Sequence, residues 1–296
     1  MRAIICRSCP ARRKVWIFNL VTFETLLYAV DKPVATITLN RPEKLNALSA
    51  QLLEELEAAF NAATRDDDVK VLVVAGAGRA FSAGYDFNEK DWIISQYPAD
   101  YDGAVDAIQD RDDIEELLAR WMRLFKCPKP VIVKVHGICL SGAGELLAIS
   151  DLVVAGESAQ FGHPAARDLG VPPTLFFWPM LIGMRKTKEM MFTGKLISAH
   201  EGERLGLINH VVPDDELDAA VAGLAADVAK TTSDALKISK IAINRWYENM
   251  GLQASVQSTS DLDAFFHQSK DYVEFFKGVR EDGLTPALKK RAKRFE

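Results

Sequence analysis

One carboxylate, Glu145, stands in the stretch "GICLSGAGELLAISDLVVAG", where a predicted strand gives way to a helix behind small residues. Further along, the segment "HPAARD" from His163 to Asp168 has Ala165 where a second acid could stand. Acids matter at such places because a positioned carboxyl group can give or take a proton in a transition state. A site with one such group supports fewer reactions than a site with two.

Two glycine-rich turns offer a second kind of chemistry. They run from Gly76 to Asp86 ("GAGRAFSAGYD") and from His136 to Leu146 ("HGICLSGAGEL"), and each directly follows a predicted strand. Small residues let a ligand approach the backbone, and two N–H groups from separate turns could form an oxyanion hole. Neither turn has the third glycine of a dinucleotide site or the GK[ST] of a phosphate-binding loop, so a nucleotide-binding fold is disfavoured.

The elements that must hold these turns alternate along the chain. Apolar patterns predict strands in "LLYAV", "VATITL", "VKVLVV", "VIVKV" and "DLVVAG", with helices between them, the first capped by Ser49. This order indicates an α/β fold with at least partly parallel pairing. Helical periodicity dominates after about Thr187. We therefore predict an N-terminal extension over 1–21, a core over 22–200 and a helical lobe over 201–296.

Composition and charge argue against several classes of protein. The chain has 296 residues, 48% of them hydrophobic, and a formal net charge of -5, which favours neither nucleic acid nor an anionic membrane as the main partner. Its four cysteines are too few and too unevenly spaced for a disulfide framework, and the lone "CRSC" does not indicate a metal site. The first twenty residues carry five cations but no secretory signal pattern. We expect a cytoplasmic protein without a metal.

Four motifs, taken in order, resemble the enoyl-CoA hydratase/isomerase, or crotonase, superfamily. They are "LNRPEKLNALS" (39–49), "GRAFSAGYD" (78–86), "GICLSGAGELLAISDLVVAGESAQFGHP" (137–164) and "TGKLISAHEGERLGLINHVVPDDEL" (193–217). The resemblance covers roughly residues 22 to 295. It implies a ClpP/crotonase-like α/β fold of repeated ββα units with a C-terminal helical trimerisation lobe. It also implies a homotrimer or hexamer and an acyl-coenzyme A (acyl-CoA) thioester as the ligand.

The resemblance assigns roles to individual residues. The thioester oxygen would accept hydrogen bonds from the backbone N–H groups of Tyr85 and Gly142, and Glu145 would be the catalytic acid/base. An enolate-like oxygen forms whenever a thioester loses an α proton or is attacked at its β carbon, and such donors favour that charge. Coenzyme A would arrive as part of the substrate, with no other cofactor. Its site would be lined by Lys44, Ala47, Ala83, Tyr85, Asp86, Phe87 and Gly142.

The second acid of the family's hydratases is missing. In those enzymes two glutamates flank a water; the first matches Glu145, and the position of the second holds Ala165. Asp168 is the first candidate to replace it, with His163 or an acid from the segment 89–111 as further candidates. Two-acid hydration by the usual route is therefore in doubt.

Three functions stay open on the sequence alone. The nearest general description is an enoyl-CoA hydratase/isomerase-like enzyme that stabilises a thioester enolate. The first alternative is a single-acid isomerase or hydrolase of a CoA thioester, using Glu145 alone or with Asp168. The alternative from another class is an acyl-CoA- or RNA-binding protein with little turnover, because the basic tail "LKKRAKRFE" could attract phosphates.

Overall fold

The computed structural model describes residues 23–87, 106–167, 169–172 and 174–295. In these ranges nine strands form two sheets. The strands are β1 (Leu26–Asp31), β2 (Val34–Leu39), β3 (Val71–Gly76), β4 (Val131–Val135), β5 (Ile138–Leu140), β6 (Leu152–Gly156), β7 (Gln160–Gly162), β8 (Ile197–Ser198) and β9 (His210–Val212). The main sheet has the order β1-β2-β3-β4-β6-β9, and the small sheet has the order β5-β7-β8. The predicted extension over 1–21 lies outside the described residues.

Strand pairing confirms the predicted α/β class. The hairpin of β1 and β2 is antiparallel, with Tyr28 opposite Ile37. The later strands of the main sheet, from β2 to β9, pair in parallel with their neighbours. Parallel strands end at the same edge of a sheet, so the turns that follow β3 and β4 lie at one edge.

Eleven α-helices connect and cover these strands within the described ranges. The first is capped as its sequence predicts, since the Ser49 hydroxyl accepts a hydrogen bond from the Leu52 N–H at 3.2 Å. The helices are α1 (Ala50–Arg65), α2 (Ala107–Phe125), α3 (Ala143–Ile149), α4 (Phe177–Ile182), α5 (Met184–Thr193), α6 (Ala199–Leu205), α7 (Leu217–Ala229), α8 (Ser233–Asn249), α9 (Leu252–His267), α10 (Lys270–Asp282) and α11 (Leu284–Ala292).

The β3 strand shows why a continuous apolar run is needed at the centre of the sheet. Successive side chains of a strand point to opposite faces. Leu72 and Val74 belong to the large core on the α1 side, whereas Val71 and Val73 pack in a second cluster with residues of α7. Both faces are therefore buried, which fixes the strand rigidly beneath the turn that follows it.

The boundary predicted between residues 200 and 201 is too early. Strand β9 adds to the main sheet, with Val211 opposite Ala155 of β6. Helix α7 then buries Leu217 and Val221 against the same sheet. The core therefore extends through α7, and the helical lobe comprises α8 to α11. The three residues of β9 are too short a run for an alternation pattern to identify a strand.

Candidate active site

The two glycine-rich turns lie side by side at the edge of the main sheet. The Leu140 N–H donates to the Ser82 carbonyl at 3.1 Å. Gly84 has a φ of +94°, and a Cβ at this residue would lie 2.9 Å from the Gly142 nitrogen. Only glycine permits so close an approach with that backbone conformation. The segment that carries the Tyr85 N–H is thus held next to the Gly142 N–H.

A left-handed residue forms the elbow between β5 and α3. Ser141 has a φ of +49°, a conformation that costs a residue with a side chain of order 1 kcal/mol. Two hydrogen bonds hold it, because its N–H donates to the Gly162 carbonyl at 2.9 Å and its carbonyl accepts from the Gly144 N–H at 2.8 Å. Within the described part of the chain no acceptor takes the Gly142 N–H. That donor is therefore available to a ligand oxygen.

The Tyr85 side chain fixes the wall of the site beside this donor. Its hydroxyl accepts a hydrogen bond from the Trp121 indole N–H at 2.9 Å. Its ring fills the space next to Gly142, where a Cβ would lie 2.6 Å from the Tyr85 Cδ2 atom. Burial, and then the charge of Glu145, raise the pKa of the Tyr85 phenol well above its ordinary value, so the phenol stays neutral.

The Glu145 side chain is completely buried although it is a carboxyl group. Its Oε2 atom accepts a hydrogen bond from the Thr174 N–H at 2.8 Å, whereas Oε1 has no hydrogen-bond partner among the described residues. Burial raises the pKa of Glu145 to about 8, the hydrogen bonding of Thr174 opposes this shift, and the charge of Asp263 adds to it. A pKa near neutrality suits a group that must both take and give a proton.

His163 lies beside Glu145. Its Nε2 atom lies 4.0 Å from the Glu145 Oε1 atom. Burial lowers the pKa of His163 to about 4, so the imidazole is neutral at neutral pH and forms no charged pair with the carboxyl group. A neutral imidazole carries one donor and one acceptor nitrogen. It can therefore make hydrogen bonds beside Glu145 but supplies no positive charge.

The position of the missing acid faces a cleft. Ala165 lies in a short 3-10 turn over Pro164–Arg167, and with Pro164 and Leu169 it forms part of the cleft wall. A methyl group provides no exchangeable proton, as the sequence implies. Asp168 lies outside the described residues, so its role as a replacement acid stays a prediction.

The segment 89–111, a further predicted source of an acid, is described only from residue 106. Asp106 caps helix α2 by accepting from the Ile108 N–H at 3.0 Å. Asp110 is buried, and its Oδ2 atom lies 2.8 Å from His267 Nδ1. Both carboxylates therefore have structural partners within the described residues.

Six of the seven residues predicted to bind coenzyme A border one cleft of about 690 Å³. The opposite wall comes from the helical lobe and includes Leu284 and Arg291. Asp86 would repel phosphates, but its Oδ2 atom lies 2.9 Å from the Arg41 Nη2 atom, which offsets the charge. Gly142 sits behind the Tyr85 ring, and Ser141 borders the cleft at that point. The predicted residues on the cleft are Lys44, Ala47, Ala83, Tyr85, Asp86 and Phe87.

Other polar residues near the turns have structural roles. The His136 Nε2 atom lies 2.8 Å from the Gly78 carbonyl oxygen. Cys127 and Cys139 are buried and unpaired with each other.

Among the described residues no cluster of histidine, cysteine and acidic side chains is arranged to hold a metal ion. No described helix combines the length and apolar character required to cross a bilayer.

Similarity to known proteins decides the family. The profile of the enoyl-CoA hydratase/isomerase family matches residues 30–282. The chain belongs to the enoyl-CoA hydratase/isomerase family. It is 31% identical over 280 residues to a probable enoyl-CoA hydratase of Mycobacterium tuberculosis, with 93% of this chain and 99% of the relative covered. It is equally similar to the 1,2-epoxyphenylacetyl-CoA isomerase of Escherichia coli, at 31% identity over 281 residues, with 92% of this chain and 98% of the relative covered.

Solved structures confirm the crotonase fold. An enoyl-CoA hydratase/isomerase from Xanthobacter autotrophicus Py2 has a TM-score of 0.83 at 34% identity, with 93% of this chain and 100% of that chain covered. An enoyl-CoA hydratase from Mycobacterium smegmatis has a TM-score of 0.85 at 29% identity, with coverage of 94% and 96%. The names of these relatives include more than one reaction. The reaction of this family member must therefore be argued from its own site.

Three groups that act on the site were not predicted from the sequence. They are the Thr174 N–H on Glu145, the Trp121 indole on Tyr85, and Asp263 of α9, whose charge acts on both. Each comes from an element far along the chain, so no local motif marks it. For Asp263 one signal exists, since helical spacing puts it on the same face as other buried residues of α9.

Proposed function

We propose that this family member catalyses a proton shift on the acyl chain of an acyl-CoA thioester. Glu145 carries the proton, and the backbone N–H groups of Tyr85 and Gly142 donate to the thioester oxygen. The single observation that carries the proposal is the state of Glu145. It is buried, held through Oε2 by Thr174, and without a hydrogen-bond partner at Oε1 among the described residues.

The reaction follows from this arrangement. Glu145 Oε1 takes a proton from the acyl chain, and negative charge develops on the thioester oxygen as an enolate forms. The two N–H donors act where that charge appears, and a donor in such a position is typically worth about 3 kcal/mol of transition-state stabilisation. The protonated carboxyl then returns the proton to another carbon, which moves a double bond along the chain.

The missing acid at residue 165 favours this reaction over hydration. Water addition across a double bond requires one group to activate the water and another to protonate the neighbouring carbon. Ala165 supplies neither function, and the neutral His163 stands 4.0 Å from the Glu145 carboxyl. A proton shift requires only one group that can take the proton and give it back.

The products of a panel of thioesters test this proposal. Straight-chain and branched 2-enoyl- and 3-enoyl-CoA thioesters are incubated with the protein in heavy-oxygen, deuterated water and analysed by mass spectrometry. We expect isomers that carry deuterium and no heavy oxygen, and no such product with Glu145→Gln. Incorporation of heavy oxygen would instead identify a hydratase and direct the search to Asp168. Release of free coenzyme A would identify a thioester hydrolase.

A further inference from the structure

A second buried carboxylate, on the helical lobe, holds a backbone segment near Thr174. Asp263 lies on α9, and its side chain is only 10% exposed. Its Oδ1 atom accepts a hydrogen bond from the Val171 N–H at 2.7 Å. The backbone segment that it holds, 169–172, follows the turn that contains Ala165. A carboxylate from another part of the chain therefore contacts the segment that follows the position where the family's second acid is absent.

We propose that Asp263 is the second carboxylate of this site and acts on Glu145 as a positioning residue, through the backbone segment that it holds and through its charge. The inference rests on the proposed role of Glu145 as proton carrier and deepens it. Asp263 takes no proton from the substrate in this account.

The mechanical link consists of two hydrogen bonds to described N–H groups that are close in sequence. Asp263 holds the Val171 N–H, and the Thr174 N–H, three residues later, holds the Glu145 Oε2 atom at 2.8 Å. Gly170 has a φ of +143°, and a Cβ at this residue would lie 2.9 Å from the Asp263 Oδ1 atom. A larger residue would separate the carboxylate from the segment. Asp263 and Glu145 therefore accept hydrogen bonds from N–H groups three positions apart in the sequence.

The electrostatic link is a like-charge interaction. The groups that face Glu145 from other elements are His163, Tyr85 and Asp263. The first two are neutral at neutral pH, because burial lowers the pKa of His163 and raises that of Tyr85. Burial is the main cause of the raised pKa of Glu145, and the charge of Asp263 adds to it. This charge favours the protonated carboxyl and so strengthens Glu145 as a base once it is ionised.

Asp263 is held in place by a buried network. His267 lies between two acids, with Nε2 3.6 Å from Asp263 Oδ1 and Nδ1 2.8 Å from Asp110 Oδ2 of helix α2. The His267 ring also stacks on Tyr272 at a centroid distance of 4.3 Å. Burial opposes protonation of His267, but the hydrogen bond and charge of Asp110 and the charge of Asp263 outweigh it, so the pKa of His267 is raised.

The two carboxyl groups titrate over different ranges. Burial raises the pKa of Asp263 to about 6, although the His267 charge and the Val171 hydrogen bond oppose the shift. The pKa of Glu145 is about 8. Asp263 is therefore ionised over the range in which Glu145 gains and loses its proton, as a charge effect requires.

The variant Asp263→Asn tests the inference, because its amide oxygen can still accept from the Val171 N–H while the charge is removed. The readout is the pH dependence of deuterium uptake by an acyl-CoA substrate. We expect the midpoint to move to lower pH, because the charge that favours the protonated carboxyl is removed. Asp261→Asn is the matched control. It removes a carboxylate from the same helix, but one that is exposed and paired with Arg111 at 2.9 Å, and we expect its midpoint to match the wild type.

A second variant separates the two links. Asp263→Ala removes both the charge and the acceptor, so we expect the same shift of the midpoint and a further loss of rate at every pH that Asn restores. If the Ala variant does not fold, the comparison of Asp263→Asn with Asp261→Asn still tests whether the charge of Asp263 acts on Glu145. An Asp263→Asn profile identical to wild type, with Glu145→Gln inactive, would overturn this inference alone. Full activity of Glu145→Gln would overturn the proposed function instead.

Discussion

At the scale of single residues, the site contains a carboxyl group whose burial does not favour the stability of the fold. A carboxyl group without access to solvent is costly unless it is neutral or well paired. Glu145 meets this condition by binding its proton more tightly than in water, with a pKa of about 8 in place of its ordinary 4.5. The fold thus tolerates Glu145 in its protonated form, whereas the proposed proton shift begins from the ionised form and passes through the protonated one.

This has a consequence for stability as a function of pH. Because the folded chain binds the Glu145 proton more tightly than the unfolded chain does, the folded state is favoured at low pH, and this stability is lost as pH rises from about 4.5 through about 8. We expect wild type to lose stability relative to Glu145→Gln between about pH 5 and 9. Urea unfolding of both proteins across this range measures the difference. A difference that does not change with pH would contradict the assignment.

Gly142 tests the geometry of the oxyanion donors. A Cβ at this residue would lie 2.6 Å from the Tyr85 ring, so Gly142→Ala must displace the ring or the donor segment. We expect the turnover rate to fall by at least about tenfold, since displaced donors lose much of their effect. Gly223→Ala in helix α7 is the control, because no atom beyond its own stretch of helix lies within 4 Å of its Cβ position. Wild-type turnover by Gly142→Ala would show that these donors are not used.

At the scale of elements, a partly buried ion pair joins helix α8 to the core. Lys240 Nζ lies 2.6 Å from Asp151 Oδ2, which also accepts from the Val131 N–H at 2.8 Å. We expect Lys240→Met to lower the free energy of unfolding by about 2 kcal/mol, less than for a fully buried pair because part of Asp151 reaches solvent. Urea unfolding measures this loss.

A surface pair of similar geometry provides the control for that experiment. The Lys230 Nζ atom lies 2.6 Å from the Asp227 Oδ1 atom, but both side chains are largely exposed. We expect Lys230→Met to change the free energy of unfolding by less than about 0.5 kcal/mol. Equal effects of the two substitutions would mean that the Lys240 pair does not attach α8 to the core.

The elements also show how far sequence reasoning reaches. β3 and the Ser49 cap were predictable because their signals are local, a continuous apolar run and a hydroxyl before a helix. Strand β9 was missed because three residues carry too little pattern and the strand forms only by pairing with β6. Thr174 and Asp263 were missed because a backbone donor and a helix in another lobe reach the site only through tertiary packing.

At the scale of the whole molecule, the helical lobe exposes large apolar side chains. On α8, Trp246 is 60% exposed, and on α9, Phe265 is 78% exposed. Ile238, Ile243 and Leu262 on the same two helices are also more than half exposed. Large exposed apolar side chains grouped on two neighbouring helices of the chain are typical of interfaces. It supports the prediction of a homotrimer or hexamer, which remains to be tested.

Light scattering after size-exclusion chromatography tests this prediction. We expect a mass of three or six chains of 32.8 kDa, and a smaller mass for Trp246→Glu with Phe265→Glu, because buried charges destabilise an interface. Leu27→Glu, on the outer strand β1 and 55% exposed, is the control and should keep the wild-type mass. A wild-type protein that elutes as a monomer at all concentrations would contradict the prediction.

Deuterium uptake at the α carbon of a bound acyl-CoA tests most directly whether Glu145 carries the proton of a stabilised enolate. The measurement compares wild type, Glu145→Gln and Glu157→Gln, an exposed carboxyl of the same stretch, with acyl-CoA affinity measured in parallel by calorimetry. We expect Glu145→Gln to lower uptake at least about 100-fold while its affinity changes only a few-fold, and Glu157→Gln to match wild type. Uptake that is independent of Glu145, or an acyl-CoA that binds to wild type without any uptake, would contradict the account.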